Sequence, residues 1–466
     1  MAFIGITSIM EIGVIGSAFN SEIRNTSTGP NWGRFNFVIC KLNKKGGKMK
    51  KLLEEVINES RIWEGSRRNS HSFLLSPSVY KISKVQEEEL ARLGYALSDC
   101  LLGLSHIAVI AYDSDLNYGG AWTAFRRVFS TGVLKVYQEL QGMNIKDVPK
   151  LLKVDLMVDE QGNFKIAEID GHNKHGLGYS TLGMRFRQAL YPGSLSLPGA
   201  VHKVAAEVRR LGHAEIKLFY ADQERFYIPE FEIASQEFAR QGIRCDVISE
   251  MDIQEKDLKK GLFLDLPFLF KRSHLYETII SSYKAGDVQF IIPPKPFLGA
   301  KGVLALLRND GKDEQLEAIL RTFIKKSSLD LARQYIPETF LVGKHAVSKE
   351  TVLEKVSQQR YVLKESISSG MKGTIFSDDP DFDDVLIRAS ASNANWILQQ
   401  EVTNQPQEFS WYEGKAGSEC QTSTDWFMRV TVQYVNRSLS DIIVTARRDK
   451  SVHGAEDCIQ LGTIIK

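Results

Sequence analysis

Asp155, Glu168 and Asp170 are spaced to meet on one face of a β-hairpin. Lys153-Val154-Asp155-Leu156-Met157-Val158 alternates as a strand, and Phe164-Lys165-Ile166-Ala167-Glu168-Ile169-Asp170 alternates again. Between them Asp159-Glu160-Gln161-Gly162-Asn163 has the composition of a turn. Two-residue periodicity sets Glu168 beside Asp170, and antiparallel pairing brings Asp155 opposite them. Oxygen-only ligands facing one point suit Mg²⁺, which keeps waters and phosphate oxygens in its other positions. The competing reading is an ordinary solvated hairpin face, since exposed acids are the rule.

Three further stretches carry chemistry suited to a phosphate ligand. Tyr361-Val362-Leu363-Lys364 is a strand ending in a lysine, and the loop after it holds Ser368, Ser369, Gly370, Lys372, Gly373 and Thr374. Backbone N–H groups of such a loop can lie over phosphates while Lys364 supplies a point charge; an exposed hairpin loop is the plain alternative. Trp396-Ile397-Leu398-Gln399-Gln400-Glu401-Val402 is an apolar strand running into polar residues. Gln400, Glu401 and Val402 could offer adenine a donor and an acceptor from a backbone edge, or the segment could be a core strand. Arg447 and Arg448, beside His453, could clamp a phosphoryl group or an acyl phosphate, or form a basic turn.

The elements that position these residues follow from hydrophobic period. Residues 49–150 read as a helical region, with helices near Met49, over Val85–Leu102 and over Val133–Leu140. Residues 151–200 hold the metal hairpin, with a helix beginning near Ser180. Residues 201–300 read as βαβ units: strands Ile216–Tyr220, Cys245–Ile248, Leu262–Phe270 and Val288–Ile292 around the helix Glu230–Gln241, which predicts a small parallel sheet. Residues 301–394 carry the helix Lys301–Arg308 and the lysine strand, and residues 395–466 return to the metal lobe with a strand over Phe427–Val435. The fold class is α/β.

Composition excludes several partners. Lys plus Arg number 59 against 57 acids, so no nucleic-acid partner is expected. The five cysteines are scattered without CxxC spacing, which fits a reducing, cytoplasmic compartment. Met1–Phe19 is apolar but contains Glu11 and lacks a basic lead, so no membrane association is expected. The run Lys44-Lys45-Gly46-Gly47-Lys48 is what a translated ribosome-binding site would encode. Residues 1–48 are therefore expected to be a non-native or disordered extension before a start at Met49.

In this order the motifs resemble the circularly permuted ATP-grasp enzymes, in particular the synthetase domain of glutathionylspermidine synthase and its relatives. Lys153-Val154-Asp155 with Glu168-Ile169-Asp170 resembles that family's Arg-x-Asp and Glu-x-Asn hairpin. Leu218–Tyr227, Leu269-Phe270-Lys271-Arg272, Leu298-Gly299-Ala300-Lys301, Tyr361–Phe376 and Trp396–Val402 resemble its later segments. Lys153, Asp170 and Ala300 depart from the family's Arg, Asn and Asn, and neither an amidase domain nor a thiol-peptide signature is present. The resemblance implies an ATP-grasp fold with permuted motif order and a small Rossmann-like domain. It implies an ATP- and Mg²⁺-dependent ligase that joins a carboxylate to an amine through an acyl phosphate. Asp155, Glu168 and Asp170 would hold the metal. Lys301 and Lys364 would hold phosphates, under a loop containing Ser369, Gly370, Lys372 and Gly373. Lys153, Arg447 or Arg448 would stabilise the oxyanion. A phosphotransferase without amine coupling and a non-catalytic nucleotide-binding scaffold are the alternatives.

Overall fold

A computed structural model describes residues 46–58, 73–112, 119–130, 145–266, 274–343, 346, 349–368, 373–392, 395–412, 419–454 and 457–466. The apolar Met1–Phe19 stretch, the Val133–Leu140 helix, Leu269–Arg272 and the loop residues Ser369, Gly370 and Lys372 lie outside the described residues. In chain order the strands are β1 Tyr80–Ile82, β2 Leu151–Val158, β3 Phe164–Asp170, β4 Glu215–Tyr220, β5 Arg244–Ser249, β6 Gly261–Phe263, β7 Val288–Phe290, β8 Thr339–Val342, β9 Tyr361–Glu365, β10 Thr374–Phe376, β11 Trp396–Gln400, β12 Gln407–Tyr412, β13 Cys420–Val435, β14 Ser438–Arg447, β15 Ile459–Leu461 and β16 Thr463–Ile465.

Three sheets matter for the site. The largest is antiparallel, in the order β15-β14-β13-β2-β3 with β12 on β13; the second is antiparallel, β10-β9-β11-β8; the third is parallel, β5-β4-β6-β7. The parallel pairing agrees with the βαβ reading, because antiparallel neighbours need no helical crossover and parallel ones do. β6 ends at Phe263, short of the expected strand Leu262–Phe270; Leu264 and Leu266 are buried beyond its end, and residues 267–270 lie outside the described residues.

The helix Lys84–Ala111 backs the large sheet. It starts on a capping box, with Ser83 Oγ accepting from Gln86 N–H and Gln86 Oε1 accepting from Ser83 N–H. Its apolar stripe, Leu90, Leu93, Leu97, Leu101 and Leu104, is fully buried. By length and composition this helix could cross a membrane, yet two-thirds of that window is buried inside the protein, as in a core helix. Tyr434 on β13 donates from its hydroxyl to Leu90 O. A Cβ on Gly94 would lie 2.3 Å from the Tyr434 ring, so only glycine admits this contact. Alternation along β13 sends Val430, Val432 and Tyr434 toward the helix and Arg429, Thr431 and Gln433 to the opposite face.

Candidate functional site

The β2–β3 register sets Asp155 directly opposite Glu168 and Lys153 opposite Asp170. Leu156 pairs with Ile166, which leaves Ala167 as an additional residue in β3: a β-bulge. The bulge turns the Ala167 carbonyl toward the second sheet, where Lys364 Nζ donates to it at 3.1 Å.

Each of the three acids is countered by a different cation of the protein. Arg429 Nη1 lies 3.3 Å from Asp155 Oδ2, and Thr431 Oγ1 donates to Asp155 Oδ1 at 2.6 Å. Lys301 Nζ lies 3.1 Å from Glu168 Oε1. Lys153 Nζ lies 2.8 Å from Asp170 Oδ2, and His172 Nδ1 lies 3.1 Å from Asp170 Oδ1. Burial acts to raise the Asp170 carboxyl, but Lys153 and His172 outweigh it and hold the group well below the usual carboxylate range. Among the described residues, no three His, Cys, Asp or Glu side chains come together as a metal site. The expected trio therefore reduces to a pair. Asp155 and Glu168 line a common cleft; Asp170 is held by its own partners one step further along the strand.

That cleft has a volume of about 360 Å³, within the range of small-molecule sites. It lies between the large sheet and the β8–β11 sheet. Val362, Thr374 and Phe376 form one wall, and Met157, Phe427, Arg429 and His453 form the other. Lys301 and Lys364 point into it from different segments. Besides Glu168, Lys301 Nζ meets Ser368 O at 3.0 Å. Lys364 Nζ donates to the Gln399 side-chain oxygen at 2.6 Å and to Ala167 O, both neutral acceptors. Burial pulls the Lys364 ammonium down to about 8, and Glu168 and Asp155 only partly offset this.

The cleft lining holds five cationic side chains against three carboxylates. Two buried polar atoms at its wall, Arg429 Nε and Asn404 Oδ1, have no hydrogen-bond partner among the described residues. Excess positive charge and orphaned polar atoms around an apolar slot fit a polyanion carrying an aromatic base. The two carboxylates fit a divalent cation that shares that polyanion's oxygens.

The remaining expected residues divide. Gln400, Glu401 and Val402 all line the cleft. However, β11 is paired on both sides, by β8 and β9. The Gln400 N–H is taken by Glu338 O and the Glu401 N–H by Arg360 O. Any free backbone edge therefore begins after the strand; the Val402 N–H enters no hydrogen bond among the described residues. Gly373 closes the lysine loop with φ +68°, the left-handed region that favours glycine.

Lys153, Arg447 and Arg448 do not line the cleft. Lys153 Nζ is bound to Asp170 and to Asn173 Oδ1. Arg447 pairs with Asp457, and the Arg448 guanidinium stacks 4.4 Å from the Trp411 ring and 5.1 Å from Trp426. Arg429, Arg360 and Lys450 occupy the cleft in their place, and sequence reading missed all three, together with Gln399. Arg429 was within reach of the period-two argument, because it shares a face with Thr431 and Gln433 in the predicted Phe427–Val435 strand.

No protein-family model and no curated protein matches this sequence. Among solved structures, a glutathione synthetase-like effector from Globodera pallida in its apo form aligns over 90% of this chain and 97% of its own. The identity is 11% and the TM-score 0.52. The chain shares that effector's fold. A Methylobacillus flagellatus KT protein assigned in name to the gamma-glutamylcysteine synthetases aligns over 68% of this chain and 80% of its own, at 11% identity and TM-score 0.40. The D-alanine–D-alanine ligase of Bacillus anthracis aligns over 53% and 70%, at 13% identity and TM-score 0.26. The last two likenesses are too slight to carry weight. The shared mixed α/β architecture is common to nearly the whole of this chain and of the effector.

Proposed function

We propose that this protein is an ATP- and Mg²⁺-dependent ligase of the ATP-grasp type with permuted motif order, forming a carbon–nitrogen bond between a carboxylate and an amine. One observation carries the reading: a buried lysine, Lys301, and a half-buried one, Lys364, converge from distant segments with a pair of facing carboxylates in one cleft, and Lys364 has only neutral hydrogen-bond partners. The fold shared with a glutathione synthetase-like effector supports it.

On this reading Asp155 and Glu168 would hold Mg²⁺, which would supply positive charge to the phosphates. Lys301 and Lys364 hold phosphates, and the segment after β11, with Val402, takes the adenine edge. ATP supplies the phosphoryl group that activates a carboxylate toward an amine. The contribution of the chain is positioning and charge neutralisation: Arg429 neutralises Asp155, and Lys301 neutralises Glu168. The test is isothermal titration with ATP and MgCl₂, followed by phosphate-release assays over a panel of carboxylates and amines. Turnover that requires both an acid and an amine supports a ligase. Turnover with an acceptor alone would replace it with a phosphotransferase, and binding without turnover with a scaffold.

A further inference from the structure

Gln399 is 2% exposed and sits on β11 one residue before the end of its pairing with β9. Its register partner is Val362, which places its side chain diagonally beside Lys364 on the same face of the sheet. Its Oε1 accepts from Lys364 Nζ at 2.6 Å; its Nε2 donates to Ile166 O at 3.3 Å and lies 3.4 Å from Thr339 Oγ1. The opposite orientation of the amide would set its NH₂ against an ammonium and its oxygen against a carbonyl, so the network admits one orientation. The two acceptors of Lys364, Gln399 Oε1 and the bulge carbonyl of Ala167, are thus fixed from two different sheets.

We propose that Gln399 is a positioning residue: with the bulged Ala167 it aims the Lys364 ammonium into the cleft and adds no negative charge, leaving that ammonium to be neutralised by an incoming polyphosphate. A carboxylate at this place would orient Lys364 equally well but would cancel its charge. This inference rests on the nucleotide reading of the cleft, and it concerns a residue of the Trp396–Val402 segment to which the sequence reading gave no role of its own. The charged groups facing Lys364 are Glu168 on β3, Asp155 on β2 and Lys301 before the Gly302–Arg308 helix; none is altered by a change at Gln399.

The test uses the full chain with ¹³Cε-labelled lysine, the Lys364 signal being assigned by its loss in K364R. Wild type, Q399E and Q399L are titrated by NMR and then assayed for ADP binding at pH 7. In wild type the signal is expected to titrate below the ordinary lysine value, near 8. We expect Q399E to move it upward, and Q399L downward, by about one pH unit or more. We expect Q399E to weaken ADP binding by about tenfold or more, although its geometry is conserved. A purely structural role would lower thermal stability while leaving the Lys364 titration in place. Coincident titrations in all three proteins, or wild-type ADP affinity in Q399E, would overturn the proposal. If Q399L does not fold, Q399E alone decides. If wild type binds no ADP, the nucleotide reading fails, and the NMR titration still tests the role of Gln399.

Discussion

Lys301 Nζ lies 3.1 Å from Glu168 Oε1, joining the residue just before the Gly302–Arg308 helix to strand β3. Lys301 is 5% exposed, and its backbone N–H is tied to Ser366 O just beyond β9. One residue thus links the acids, the lysine strand and the loop after it. Removing the carboxylate leaves a buried ammonium without its counter-charge. For E168Q we expect ATP turnover to fall by about 10²-fold or more. We also expect a stability loss of about 1–3 kcal/mol, as for a deleted partner of a charged hydrogen bond. Turnover assays and chemical denaturation separate the two effects; unchanged turnover in both E168Q and D155N would remove the metal assignment.

Lys364 works in the other direction on stability. Its folded value of about 8 is below the ordinary 10.5, because burial disfavours the charged form. Between those values the unfolded chain binds more protons than the folded one, so stability rises with pH through this window. At neutral pH the buried charge costs on the order of 3 kcal/mol. K364M removes that cost and is expected to melt higher than wild type at pH 7, with the gain shrinking above pH 9. The same variant is expected to weaken ADP binding about 10- to 100-fold, as for one lost charge-assisted contact. Melting curves at pH 7 and 10, with ADP titrations alongside, check both signs.

Glu230 supplies a second pH test, away from the cleft. It is 1% exposed, and its Oε1 accepts from the Gly176 and Gly178 N–H groups at the start of the Leu177–Leu190 helix. Burial lifts its carboxyl to about 7, against the pull of these donors and of Lys153 and Lys174. The folded state therefore holds the proton between the ordinary value and about 7, and its contribution to stability falls as pH rises through that window. E230Q keeps an acceptor and is expected to stabilise the protein at pH 8 by no more than about 3 kcal/mol, with little effect at pH 4.5. Denaturant titrations at the two pH values decide; an equal effect at both would contradict the assignment.

Lys450 Nζ lies 2.7 Å from Asp378 Oδ1, and Arg360 pairs with Asp378 and with Glu401. These charges join the loop after β14 to the turn after β10, and three of them, Arg360, Glu401 and Lys450, line the cleft. Exposed pairs add little to stability, so D378N is expected to change it by less than about 1 kcal/mol. Its effect is expected in exchange: release of a fluorescent ADP should speed up a few-fold, and added salt should speed wild-type release in the same way. Stopped-flow measurements with and without salt test this.

The hairpin was legible because period-two alternation and a turn composition agree over Lys153–Asp170. The bulge was not, because Ala167 looks like any strand residue, and its additional place is set by pairing rather than by type. Asp170 illustrates a different limit. Spacing puts it on the correct face, but Lys153, His172 and Asn173 then compete for its oxygens, and that contest is settled in three dimensions. The arginine pair misleads for a related reason. Arg448 finds the faces of Trp411 and Trp426, aromatic residues on β12 and β13, and the carboxylate of Asp425, so its charge is met without a ligand. The face of Arg429 was legible from alternation along Phe427–Val435, but its pairing with Asp155 on another strand was not.

The most direct test of the cleft is isothermal titration of ATP into the full chain with and without MgCl₂, repeated in the double variant D155N/E168Q. The account predicts saturable binding in wild type that tightens with Mg²⁺, and loss of the Mg²⁺ dependence in the double variant. Absence of ATP binding in folded wild-type protein, or a Mg²⁺ effect of equal size in the double variant, would contradict it.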